Sequence, residues 1–144
     1  MLSTGGAINE WLQVGFIADN IVQTQEGKNN GFDREFTLGT KFNIQNLVLV
    51  YFDPHVTPTL SGSTKLGHET GFEFPVMTDL FLRLGIFKNA AQPQQAGSRA
   101  AGWSVGAGWV GPRLSLDYGF SHVTSSPTLA HHVATHNIGF TAFF

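Results

Sequence analysis

The sequence has no cysteine among its 144 residues, which excludes disulfides and thiolate metal sites. Charge is also scarce. Asp, Glu, Lys and Arg together make up 12% of the chain, and the net charge is −2. With a pI near 6.3 there is no basic footprint, so no nucleic-acid partner is expected. No run approaches the ~18 consecutive apolar residues of a transmembrane helix. The opening residues, Met1-Leu2-Ser3-Thr4-Gly5-Gly6, lack the basic start and apolar centre of a secretory leader. An exported protein needs such a leader, so either it has been removed or the chain is part of something longer.

What is abundant points elsewhere. Aromatic residues reach 12%, with 13 Phe, and there are 17 Gly. The C-terminal stretch alternates: Ile138, Phe140, Ala142 and Phe144 share one face, and Asn137, Gly139 and Thr141 the other. A period of two means a strand with two unlike faces. A soluble protein seldom ends on an exposed apolar strand, because such an edge invites aggregation. A transmembrane β-barrel does so readily, because its outer face meets lipid. Mean hydropathy is balanced, as expected when apolar and polar residues alternate.

The same alternation predicts strands over Trp11 to Ala18, Glu35 to Phe42, Leu47 to Asp53, Lys65 to Phe74, Asp79 to Phe87, Ala101 to Val110 and Arg113 to Val123, before the C-terminal strand. Pro54 is expected to end the third of these. Long polar connections alternate with short turns, the barrel pattern of long extracellular loops and short periplasmic turns. An even count of about eight strands would place both chain ends on the periplasmic side. Residues 1–144 are read as one domain, an all-β, antiparallel up-and-down transmembrane β-barrel.

Charges follow the pleat. Glu35, Lys41, Glu69, Glu73, Arg83 and Asp117 all have the polar parity. A Lys or Arg at mid-bilayer costs about 2–4 kcal/mol, which gives this segregation a cause. His68, with outward parity, is the awkward residue. A soluble β-sandwich would alternate too, but its polar face would be rich in Thr, Lys and Glu. Here that face repeats Gly, at 15, 39, 71, 85, 106, 108, 119 and 139 among others. Glycine weakens strands, so its repetition suggests a crowded interior.

Candidate site residues follow from parity. Glu69, Glu73, Arg83 and Asp117 could form a lumen charge cluster, either a constriction or a structural ion-pair network that leaves no buried charge unpaired. Ile17, Leu47, Leu49, Tyr51 and Phe81 could give the lumen an apolar lining. Trp11, Trp103, Trp109 and Tyr118 read as lipid-facing or girdle aromatics. His131, His132 and His136 resemble a metal motif, but on a strand His132 and His136 lie ~13 Å apart at ~3.3 Å per residue. No metal or other cofactor is expected, and with no nucleophile or base in a recognisable setting, neither is catalysis.

The pieces Gly71-Phe72-Glu73-Phe74, Leu80-Phe81-Leu82-Arg83-Leu84-Gly85-Ile86, Gly106-Ala107-Gly108, Leu116-Asp117-Tyr118-Gly119-Phe120 and His136-Asn137-Ile138-Gly139-Phe140 occur in an order that resembles the C-terminal half of PorV-like and FadL-like outer-membrane barrels. The resemblance implies a barrel of about fourteen strands, of which this chain would supply the C-terminal part; the alternative is a small closed barrel of about eight, filled by side chains. It also implies a place in the bacterial outer membrane, contact with outer-membrane lipid, and delivery by the barrel assembly machinery through Ile138, Phe140 and Phe144. Two functions follow from it: passage of a hydrophobic small molecule, as in FadL-like proteins, or a structural barrel that holds a secretion or surface-attachment partner, as in PorV-like ones.

Overall fold

The computed structural model describes residues 2–22, 24–29, 33–60, 62, 65–91, 99–126 and 133–142. It contains β1 (Leu2–Asn9), β2 (Leu12–Asp19), a one-turn α1 (Gln25–Asn29), β3 (Glu35–Ile44), β4 (Val48–Val56), β5 (Leu66–Pro75), β6 (Leu80–Ala91), β7 (Arg99–Val110), β8 (Leu114–Ser125) and β9 (Ala134–Ala142). All nine strands form one antiparallel sheet in sequence order. Among the described residues no ladder joins β1 to β9, so the sheet is open.

This corrects the count of about eight strands and the closed eight-strand alternative. The extra strand is β1. Its Gly5, Gly6 and Ala7 carry little strand signal of their own. They are held by the ladder to β2, where Gly5 faces Gly15 so closely that a Cβ would press on the opposite backbone. The β1–β2 turn is set by Asn9, whose Oδ1 accepts from the amides of Trp11 at 3.1 Å and Leu12 at 2.8 Å. With nine strands, the start of β1 and the end of β9 lie at opposite rims, not on one side.

Pro54 does not end β4, which continues to Val56. Proline removes a ladder donor, and the β3–β4 ladder is interrupted there: Thr37 pairs with His55 and Thr40 with Phe52, with no pair between. Side chains fill the gap. The Thr40 amide donates to Asp53 Oδ1 at 3.1 Å, and Thr40 Oγ1 donates to the Phe52 carbonyl at 2.6 Å.

Register fixes the two faces. One row runs through Tyr51, Gly71, Gly85, Ser104, Ser121 and Thr135. Its neighbour two residues away runs through Leu49, Glu73, Arg83, Gly106, Gly119 and Asn137. The opposite face carries rows such as Val50, Phe72, Leu84, Val105 and Phe120. The strands are also staggered. Gly71 lies five residues beyond the start of β5, but Thr135, in the same row, only one beyond the start of β9. Stagger of this kind accompanies strand tilt in barrels.

The sheet is strongly curled towards its polar face. Glu35 on β3 and Arg99 on β7 form an ion pair at 2.5 Å. Four strand spacings of ~4.8 Å would separate them by roughly 19 Å in a flat sheet, beyond the combined reach of the two side chains. Little is buried beyond this region: Ala18, Ala90, Ala100 and Val123 are the buried apolar residues among those described. The accessible surface is 9492 Å² for 15.6 kDa, against about 7,200 Å² for a compact chain of that mass. A β-sandwich would cover the apolar face with a second sheet; the described strands form only one.

Candidate functional site

The concave face is organised by two arginines. Arg83, on β6, donates through Nε to Glu73 Oε2 at 2.8 Å and through Nη1 to Asp117 Oδ1 at 2.9 Å. Glu73 is the direct cross-strand partner of Arg83, whereas Asp117 lies on β8, beyond β7. Arg83 therefore reaches over the β7 backbone where Gly106 and Gly108 leave no side chain in the way. Its guanidinium also stands 4.3 Å from the centre of the Phe81 ring. That ring fills the space over Gly108, where a Cβ would overlap it. Beside the triad lies a shallow groove of about 410 Å³, with Ser104, Ser121 and Asn137 among its lining residues.

The second arginine sits at the rim with the long connections. Arg99 is buried, and besides Glu35 it donates from Nη1 to the Asn89 carbonyl at 3.0 Å. Thr57 Oγ1, fully buried, donates to Glu35 Oε2 at 3.1 Å. His55 Nε2 meets the same Asn89 carbonyl at 3.1 Å, reaching across β5. The crossing is possible because β5 presents Gly67: a Cβ there would overlap the His55 ring and the Lys88 carbonyl. Asn89 has φ 54° and closes the knot by donating from Nδ2 to the Leu66 carbonyl at 2.6 Å. The network links β3, β4, β5, β6 and β7 at one end of the sheet.

The sequence-derived candidates are placed as follows. Glu73, Arg83 and Asp117 come together, while Glu69 stands opposite Asp53 and Phe87, outside the triad. Ile17, Leu49, Tyr51 and Phe81 share the concave face, and Lys41 Nζ stands 5.5 Å from the centre of the Tyr51 ring. Leu47 does not belong with them. It lies in the β3–β4 turn, 69% exposed, because β4 starts only at Val48. Trp103, Trp109, Tyr118, Ile138 and Phe140 are on the outward face. Trp11 is exposed in the β1–β2 turn. Phe144, His131 and His132 lie outside the described residues.

The buried knot was not expected from the sequence. Residues 88–99 read as a loop because of their Ala, Gln, Pro and Gly, yet β6 runs to Ala91 through a bulge and β7 starts at Arg99. The available signal was an Arg beside two alanines, small enough to let a long cation lie down across the sheet. Comparison with known families, with curated proteins and with solved structures finds no match to this chain.

Proposed function

We propose that this chain forms a lipid-embedded wall of a bacterial outer-membrane β-barrel, with a polar interior. The observation that carries the reading is the division of the faces from β2 to β9. No strand Asp or Glu has outward register, while Leu, Val, Phe, Ile and Trp fill the outward rows. Leu82, Leu84, Ile86 and Phe140 lie open, and so large an exposed apolar surface marks a site of contact with something apolar. In a bilayer every backbone polar group needs a partner, which antiparallel ladders on both sides supply for β2 to β8.

The concave face supports a structural barrel over a channel for hydrophobic molecules. Arg83 spans three strands to Asp117, and the Arg99 knot draws the long-loop rim together. Passage of a hydrophobic molecule is the second reading, favoured by Ile17, Leu49 and Phe81 on the same face. Refolding into phosphatidylcholine vesicles, followed by protease digestion, tests the main reading. Protected β-structure is the expected result; complete digestion, or recovery of a soluble folded monomer without lipid, contradicts it. Uptake of a fluorescent fatty acid by the same vesicles separates the two readings, because a structural wall gives none above empty vesicles.

A further inference from the structure

Four outward-facing residues are not needed by an apolar wall: His68, Lys88, His122 and His136. Each lies close to the long-loop end of its strand. His68 is two residues past Leu66 and Lys88 three before Ala91; His122 is three before Ser125 and His136 two past Ala134. Strand stagger thus keeps them at one level from β5 to β9, although they occupy different rows. His68 and Lys88 are direct cross-strand partners. The histidines stand beside aromatic rings: Phe52 is 6.2 Å from His68, Trp103 is 5.8 Å from His122 and Phe120 is 5.0 Å from His136. The Tyr118 hydroxyl meets His136 Nδ1 at 2.8 Å.

The other rim of the same face is different. Phe74, Leu80, Trp109, Leu116 and Phe140 occupy it, and no ionisable side chain stands among them. The long-loop rim therefore holds a band of side chains able to carry positive charge. At the edge of a hydrocarbon layer, a Lys such as Lys88 extends its ammonium to the headgroups while its stem stays in apolar surroundings, and a His presents its polar ring tip to the same layer. We infer that this band binds the phosphate of anionic lipid headgroups at the long-loop rim. The inference rests on the outward face being embedded in a bilayer.

Quenching by brominated lipids tests it at the band itself. The chain has 3 Trp, so Trp11→Phe with Trp109→Phe leaves Trp103 as the reporter beside His122, and Trp11→Phe with Trp103→Phe leaves Trp109 at the opposite rim. Vesicles hold phosphatidylcholine with a minor share of phosphatidylglycerol, and either lipid carries the bromine. Brominated phosphatidylglycerol is expected to quench Trp103 about twofold or more beyond its mole fraction, and Trp109 in proportion to it. The combined His68→Gln, Lys88→Gln, His122→Gln and His136→Gln variant should bring Trp103 down to the mole fraction, with quenching by brominated phosphatidylcholine intact; Lys88→Gln alone should give part of that loss. Quenching of Trp103 with no anionic excess, or an excess that survives the combined variant, overturns the inference. Absence of quenching at both tryptophans by every brominated lipid overturns the membrane reading along with it.

Discussion

Arg83 and Arg99 do the same kind of work in opposite surroundings. Both lie across the concave face and both pair with carboxylates from other strands. The Arg83 side chain is 49% exposed, whereas that of Arg99 is 8% exposed. Burial, more than the number of partners, decides what each is worth. An exposed pair gains little because water screens it. A buried charge that loses its partner is left uncompensated in a poor solvent, which is strongly destabilising. The difference teaches that the cluster legible in the sequence is the weaker of the two, and that the buried one, which ties β3 to β7 across the curl, was not legible.

The largest effect should therefore come from Arg99→Ala, which leaves Glu35 inside the knot without its cation. A loss of about 3–5 kcal/mol is expected, read by urea unfolding in detergent micelles. Glu35→Gln combined with Arg99→Met should recover most of it; an equal loss in the double variant would mean that the charge pair is not the cause. Next comes the outward face. Leu84→Arg places a cation in the middle rows of β6 and should cost about 2–4 kcal/mol in a bilayer. The same change should cost far less in a soluble protein, so the contrast between vesicles and lipid-free buffer sharpens the assignment.

Gly108→Ala should cost about 1–3 kcal/mol, since the new methyl meets the Phe81 ring beneath Arg83. Pairing it with Phe81→Leu should restore much of the loss, which thermal melting of the three variants would show. The smallest effect is expected at the exposed arginine. Arg83→Ala should cost about 1 kcal/mol or less. A loss equal to that of Arg99→Ala would break the comparison, because it would mean that the concave face at Arg83 is closed to water.

Much of the fold was legible because alternation is a local signal. The seven strands from Trp11 to Val123 and the segregation of Glu73, Arg83 and Asp117 follow from parity alone. Height along the sheet does not. Glu69 shares a face with Glu73, but only register shows that it stands across from Asp53 and Phe87. β1 was hidden because Gly5 and Gly6 gain their strand conformation from β2 and not from their own preference. Pro54 misled because Asp53 and Thr40 replace the missing backbone bond, a compensation visible only once two strands are side by side. The Arg99 knot depends on curvature over five strands, the least local property of all.

The central claim is that the outward face meets lipid and the concave face meets water. The absence of native cysteine lets single cysteines be introduced along β6 and spin-labelled. In vesicles, labels at Leu82, Leu84 and Ile86 should collide more often with oxygen than with a water-soluble nickel chelate, and labels at Arg83, Gly85 and Phe87 the reverse, giving a period of two. Equal access of the nickel chelate to both sets would contradict the account.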